Sequence, residues 1–383
     1  MRQDTSLQNP VRALTVLHAI PSIALHHGGP SQSLSGLISA MCAQAPWRVG
    51  LICGHDPHEP PLSGGVARHD IRYINRRFWC PHPASLPQMA KAIEEADLVH
   101  VHSYWNGFAS AMIGLAQRIG KPVVLSPRGV LQRKAMAQSS ARTKAAYSSL
   151  IGRRQLTRIS GYHFQTQEEA EASYGVSDQP SIIIDNGVNV PEFTVDRAAL
   201  RTKLFGHFAA DLNLVFLGRI ARIKGIELQI NALRLLHEHG VAARLHLVGP
   251  DGGDQGRLNA VAKQLGVADR VHMHGPVYSD TKQDWLRAAD AVLMSSEFEN
   301  NSNAALETMA AGGALIGTEG TIPDDPVNRG AALRVVRQPE ALAQRLRQPI
   351  PLTIRDKARH YVGQHHAWQP RAARMLTFYE SLL

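Results

Sequence analysis

Residues 291–320, AVLMSSEFENNSNAALETMAAGGALIGTEG, read as strand, polar loop, short helix and strand within thirty residues. Ala291–Met294 and Ala314–Gly317 are uninterrupted apolar runs of the kind that form strands buried on both faces. Ser302 or Asn303 is a suitable N-cap for a helix through Ala304, Leu306, Met309 and Ala310, and Gly312-Gly313 supplies its stop. In open parallel sheets ligands bind beyond the carboxyl ends of the strands, and Glu299 and Glu307, with seven residues between them, fall there. A helix start favours nearby acidic side chains for stability alone, which accounts for Glu307 by itself. It leaves Asn300, Asn301, Ser302 and Asn303, a polar cluster of the type that lines polyol or phosphate sites; a solvated loop is the other reading.

Outward from this stretch the same rhythm repeats. Leu212–Leu217 is strand-like and is followed by Gly218-Arg219-Ile220-Ala221-Arg222-Ile223-Lys224-Gly225, then by a helical period in Ile226, Ile230, Leu233 and Leu236. Arg219 and Lys224 flank a loop at a strand's carboxyl end, which is how fixed cations hold a diphosphate without a metal; exposed basic loop residues are the alternative. Leu245–Gly253, Val271–Pro276 and the helix around Trp285 continue the pattern, so the second half is doubly wound. In the first half, Ala13–Ile20 is a strand leading to Gly28-Gly29-Pro30 and an amphipathic helix through Leu34, Leu37, Ile38 and Met41. Asp97–His102 is a strand whose alternation puts His100 and His102 on one face, with His102 last before the loop Ser103–Asn106 and so placed to enter a cleft; a structural histidine is the alternative.

Taken together, the Glu299–Glu307 spacing, the G-R-x-x-x-x-K-G segment at 218–225, Pro127-Arg128-Gly129 and Asn186-Gly187-Val188 resemble the retaining glycosyltransferases of family 4. The resemblance covers nearly the whole chain. It implies a GT-B fold, an α/β architecture of two Rossmann-like doubly wound domains facing across a cleft. The expected division is an acceptor-binding domain at 1–190, joined by a C-terminal helix at about 367–383, and a nucleotide-sugar-binding domain at 191–366. By resemblance, Arg219 and Lys224 bind the donor diphosphate, and the polar loop from Asn300 to Asn303 assists through its backbone. Glu299 orients the transferred sugar, Glu307 holds the ribose, His102 contacts the donor sugar, and the Gly28-Gly29 loop lies near the donor phosphates. The Pro-Arg-Gly segment is similar to that of members that build bacterial surface polysaccharides. Asn189 replaces the usual acid after Asn-Gly-Val, and Asn300-Asn301-Ser302 replaces small residues common in the family, which bears on donor identity. Asn186-Gly187 itself reads as a turn without chemistry.

Composition agrees with two soluble globular domains: 383 residues, 44% hydrophobic and 19% charged. No apolar run approaches the roughly 20 residues of a spanning helix, and residues 1–12 lack a signal peptide's apolar segment, so a cytoplasmic protein is expected. Three dispersed cysteines and nineteen histidines without ligand spacing imply no disulfide, no metal and no other cofactor. The net charge of +9 is uneven: from Leu98 to Gln167 there is no acidic residue but ten basic ones, Arg118, Lys121, Arg128, Arg133, Lys134, Arg142, Lys144, Arg153, Arg154 and Arg158. With Ala145, Ala146, Tyr147, Leu150, Ile151 and Leu156 interleaved, this segment fits anionic headgroups or a polyprenyl-diphosphate acceptor; a solvated basic helix is the alternative. No nucleic-acid-binding signature accompanies it. The resulting expectation is a hexosyltransferase acting on a glycan or lipid-linked acceptor in polysaccharide synthesis, peripheral at the inner membrane face. A sugar-nucleotide epimerase or hydrolase, or a non-catalytic sugar-nucleotide-binding subunit, are the alternatives.

Overall fold

The computed structural model describes residues 13–62, 64–133, 152–176, 178–193, 196–297, 299 and 301–383. Its apolar runs form two parallel sheets. The first takes β1 (Thr15–Ala19), β2 (Arg48–Gly54) and β3 (Val66–Ile71), and after a small antiparallel hairpin of β4 (Tyr73–Asn75) and β5 (Cys80–Pro81), β6 (Leu98–His102), β7 (Val123–Ser126), β8 (Gly161–Phe164) and β9 (Ser181–Ile183). Its order is β3-β2-β1-β6-β7-β8-β9, every pairing parallel. The second takes β10 (Leu212–Leu217), β11 (Ala243–Val248), β12 (Val271–Gly275), β13 (Ala291–Met294), β14 (Leu315–Thr318) and β15 (Leu333–Val335) in the order β12-β11-β10-β13-β14-β15, again all parallel. Strands β6, β7, β13 and β14 are buried along their whole length, because helices cover both faces of each sheet.

In each sheet the strand order reverses beside the first strand, between β1 and β6 and between β10 and β13. Those are the places where two adjacent loops leave in opposite directions and open a crevice at the carboxyl edge. The second sheet's core is built as the helical period anticipates: Ile226, Ile230, Leu233 and Leu236 of the helix Ile226–Glu238 are all buried against it.

The chain divides into two compact units, Met1–Asp185 with Gln369–Leu383, and Asn186–Trp368. This falls a few residues earlier than the division at 190 read from the sequence, because Asn186–Pro191 packs with the second unit. Val188 N donates to His366 O at 2.7 Å, Arg359 donates to Pro191 O at 3.0 Å, and Trp368 lies where a Cβ on Gly187 would be, 2.4 Å away. Residues from Gln369 belong to the first unit. There Arg371 pairs with Asp185 at 2.6 Å, Trp47 Nε1 donates to Glu380, and Tyr379 is completely buried with its ring 5.8 Å from Trp47. No helix among the described residues is long and apolar enough to cross a membrane.

Candidate functional site

At the second unit's switch point, the loops after β10 and β13 are stitched together. Gly225 takes a left-handed conformation, φ +62°, and a Cβ there would lie 2.1 Å from the Ser295 carbonyl oxygen, so only glycine allows the approach. Across it Ser295 Oγ donates to Gly225 O at 2.9 Å and accepts from Gln229 Nε2 at 2.8 Å, while Glu297 N donates to Ile223 O at 2.8 Å. The short 3-10 turn Arg222–Lys224 is thereby fixed, and Lys224 Nζ meets Glu299 Oε1 at 2.6 Å. Ser296 Oγ donates to the same carboxylate oxygen at 2.7 Å. Arg219 is exposed at the start of the loop and has no ion-pair partner among the described residues.

Ser302 caps the helix Asn303–Ala310, its Oγ accepting from Ala305 N, so the unspent backbone N–H groups of that helix start face the same edge. Asn303 Oδ1 accepts from Asn186 Nδ2 at 2.7 Å, giving Asn186 a contact with the polar loop in addition to its turn. Glu307 lies just beyond the first turn and is paired with Lys282 Nζ at 2.7 Å, both largely buried. Asn301, Ser302 and Asn303 are half-buried; Asn300 lies outside the described residues. Lys224 with Glu299, and Glu307 with Lys282, therefore form two ion pairs at one sheet edge. Lys282, Ser295, Ser296 and Gln229 escape sequence reasoning: only Ser295-Ser296, polar residues immediately after a buried strand, carry a local signal.

In the first unit, Gly28 and Gly29 open the helix Gly29–Cys42, and Arg128 ties that helix to His102. Arg128 Nη1 donates to Ser33 Oγ at 3.0 Å and Nη2 to His102 Nδ1 at 3.3 Å, from a residue that is itself left-handed at φ +59°. His102 does not project into open space as its strand-end position suggests: it is fully buried, stacked on His100 at 4.2 Å. The reason is a cluster of four histidines assembled from three strands, His18 of β1, His100 and His102 of β6 and His163 of β8, which the sequence shows only as far as the His100–His102 pair. The hydrogen-bond directions follow from the ends. Ile184 O can only accept, so His163 Nε2 donates to it (2.9 Å); Ser126 Oγ donates to His163 Nδ1 (2.6 Å), His100 Nε2 to Ser126 (2.7 Å) and Tyr379 to His100 Nδ1 (2.5 Å). By the same logic His102 Nε2 donates to His18 Nδ1 at 3.0 Å.

Burial dominates the electrostatics here. Desolvation, reinforced by Arg128, holds His18 and His163 at about 3, and holds His100 and His102 well below the usual imidazole value. Burial also lowers Arg128 to about 10, which leaves it charged at neutral pH among neutral rings. Ring nitrogens of His18, His100 and His102 lie within 4.8 Å of one another, but both nitrogens of His100 are already bonded and the adjacent guanidinium opposes a second cation. These imidazoles take up protons on unfolding at pH values where the folded protein does not. Stability is accordingly full above about pH 6.5 and falls as pH drops toward 3. The urea midpoint of the first unit is expected to be lower at pH 5 than at pH 7.5, and an unchanged midpoint would contradict the neutral cluster.

Two doubly wound parallel sheets in one chain, with loops of opposite charge meeting at a switch point, define a protein of the GT-B class. The Glycosyltransferase Family 4 model matches residues 27–191 and the model for glycosyl transferases group 1 matches residues 211–350, which together take in most of the sequence. Each half of the chain thus matches a glycosyltransferase model. Among its relatives, the D-inositol 3-phosphate glycosyltransferase of Xylanimonas cellulosilytica is 31% identical over 253 residues, 61% of this chain and 58% of that protein. The chain thus spans little more than half the length of that relative. Sucrose-phosphate synthase of Thermosynechococcus elongatus shares the fold with a TM-score of 0.74 at 20% identity, covering 96% of this chain and 99% of the other. HepE of Anabaena, crystallised with UDP and glucose, does so with a TM-score of 0.75 at 17% identity, covering 96% and 100%.

Proposed function

We propose that the protein transfers a hexose from a nucleotide-diphosphate sugar, with retention and without a metal, to a glycan or polyprenyl-diphosphate-linked acceptor in bacterial polysaccharide synthesis. The Lys224–Glu299 pair carries this reading. A cation that already touches the carboxylate expected to orient the sugar is within one side chain of where the diphosphate must lie, so a single rigid turn addresses both sides of the bond that breaks. Arg219 adds a second cation, and the start of the helix Asn303–Ala310 offers backbone donors to the developing phosphate charge. Glu307, turned toward Lys282, is assigned to the ribose. The leaving phosphate then accepts the acceptor's proton, so no separate general base is required. The UDP and glucose found with HepE support the donor class.

The acceptor assignment rests on the Pro-Arg-Gly segment and on the basic stretch from Arg118 to Arg158. Of that stretch Arg118, Arg133, Arg153, Arg154 and Arg158 are exposed, while residues 134–151 lie outside the described part. An anionic membrane surface fits these charges. A phosphorylated polyol is the second reading, favoured by the relative that acts on inositol 3-phosphate.

Incubation with UDP-, GDP-, dTDP- and ADP-sugars, with and without chelator, tests the donor and metal independence. Product anomeric couplings by NMR test retention, and an inverted product would overturn the mechanism. Glu299→Gln is expected to cut turnover while leaving nucleoside diphosphate binding nearly intact, and Glu307→Gln to raise the Kd for the sugar-free nucleotide. Parental behaviour of both variants in these assays would remove the two-carboxylate assignment.

A further inference from the structure

Three of the large apolar side chains that stand exposed among the described residues fall in one short stretch of the first unit, in and just after the β4–β5 hairpin: Ile74 is 65% exposed, Phe78 57% and Leu86 40%. Exposure of this kind in a short segment calls for a partner, because isolated apolar residues are common on surfaces but clusters are not. The chemistry around them is one-sided. From Ile71 to Ile93 there is no acidic residue; Arg72 and Arg77 are exposed, with the Arg77 guanidinium 5.4 Å from the Phe78 ring centroid, while Arg76 turns to Asp56 at 3.6 Å and to His55 O at 3.1 Å.

The hairpin is rigidly held rather than loosely draped. Tyr73 and Trp79 turn inward, 5.1 Å apart, and Tyr73 donates its hydroxyl to Pro21 O at 2.6 Å. Asn75 Oδ1 accepts from Arg77 N at 2.7 Å and closes the tip. Phe78 O accepts from Gly107 N at 2.9 Å, and a Cβ on Gly107 would stand 3.0 Å from Cys80 Sγ. Trp79 is kept in a left-handed conformation, φ +51°, unfavourable for a bulky residue, and alternation across it turns Phe78 outward. The anchoring thus fixes an outward Phe78 beside Arg77, with Ile74 exposed on the same hairpin.

We propose that this hairpin is an interfacial anchor that seats the first unit on an anionic lipid surface, with Ile74 and Phe78 entering the headgroup–acyl boundary and Arg72 and Arg77 meeting lipid phosphates. The apolar tip supplies buried area and the arginines supply attraction to negative headgroups, the two contributions that surface-bound segments combine. It deepens and rests on the membrane-surface reading of the acceptor side. It adds a component that salt does not screen, unlike the basic stretch from Arg118 to Arg158.

The test is vesicle flotation of the full chain with phosphatidylcholine alone and with added phosphatidylglycerol, at low and high salt. The parent is expected to float with the anionic vesicles. Ile74→Ser with Phe78→Ser should lower the partition coefficient about tenfold at either salt concentration, and Arg72→Glu with Arg77→Glu should lower it mainly at low salt. The new indole of Phe78→Trp should be quenched by lipids brominated on their acyl chains. Equal flotation of the parent and the Ile74/Phe78 variant, or an unquenched indole, would overturn the proposal; the second outcome with normal flotation would assign the face to a protein partner instead. Donor hydrolysis measured without vesicles should be unchanged by the Ile74/Phe78 substitutions. An absence of sugar-nucleotide turnover in the parent would refute the transferase reading while leaving the flotation result standing.

Discussion

Replacing Lys224 with alanine is expected to lower kcat/KM for the sugar nucleotide by about 10²–10³-fold, the loss typical when one fixed donor to developing negative charge is removed. The size follows from the surroundings. The ammonium sits on a turn locked by Gly225 against the Ser295 carbonyl, and among the described residues its partner Glu299 keeps Ser296 as a neighbouring donor once the cation is gone. The variant therefore loses a phosphate contact and also lets a carboxylate drift that was held at 2.6 Å. Lys224→Arg is expected to rescue poorly, since a planar fork cannot occupy the space of a compact ammonium on so constrained a turn. Combining Lys224→Ala with Glu299→Gln should be less damaging than the product of the two single effects, with a coupling of about 0.5–3 kcal/mol. Calorimetry with nucleoside diphosphate and initial rates with the sugar nucleotide measure the two parts separately. Full activity in Lys224→Ala would mean that the diphosphate lies elsewhere.

Truncating Tyr379 to alanine is expected to destabilise the first unit by about 3–5 kcal/mol, the range for deleting a fully buried aromatic side chain. The ring is completely buried, tilted against Trp47 and edge-on to His100 at 5.7 Å. Its hydroxyl also begins the hydrogen-bond series that ends at Ile184 O. Tyr379→Phe isolates that second contribution: it keeps the packing, leaves His100 Nδ1 buried without a donor, and should cost about 1–3 kcal/mol. Because the chain has two compact units, a single transition cannot be assumed. Urea unfolding followed through Trp47, which touches Tyr379, against Trp285, which packs in the second unit's core, separates the responses. Equal loss at both reporters, or a phenylalanine variant as damaged as the alanine one, would contradict this account.

The parts of the site that could be read from the sequence are those made locally. Glu299, Ser302 and Glu307 fall within a strand, a cap and one helical turn of each other, so their order along the chain is also their order in space. Arg219 and Lys224 are legible for the same reason, since a glycine-flanked loop after an apolar run places them at a strand end. Lys282 is not legible, because it reaches Glu307 from a neighbouring helix and nothing in Ser279–Ala288 marks one lysine above other polar residues. His102 shows the opposite failure. Alternation and position at the end of β6 are correct, but exposure depends on what stacks upon it, and His18 and Arg128 come from elsewhere in the chain.

Periodicity, glycine placement and caps are properties of a dozen consecutive residues, and by themselves they determined the alternation of strands and helices, the doubly wound character of the second half and the polar stretch between Glu299 and Glu307. The pairing of Lys224 with Glu299 and the burial of four histidines that stay neutral around one arginine were decided only by tertiary structure. Each depends on strand order. Parallel sheets bring residues tens of positions apart side by side, as His18 and His102 are, and the energy of such a contact is set by the water it excludes rather than by any local pattern.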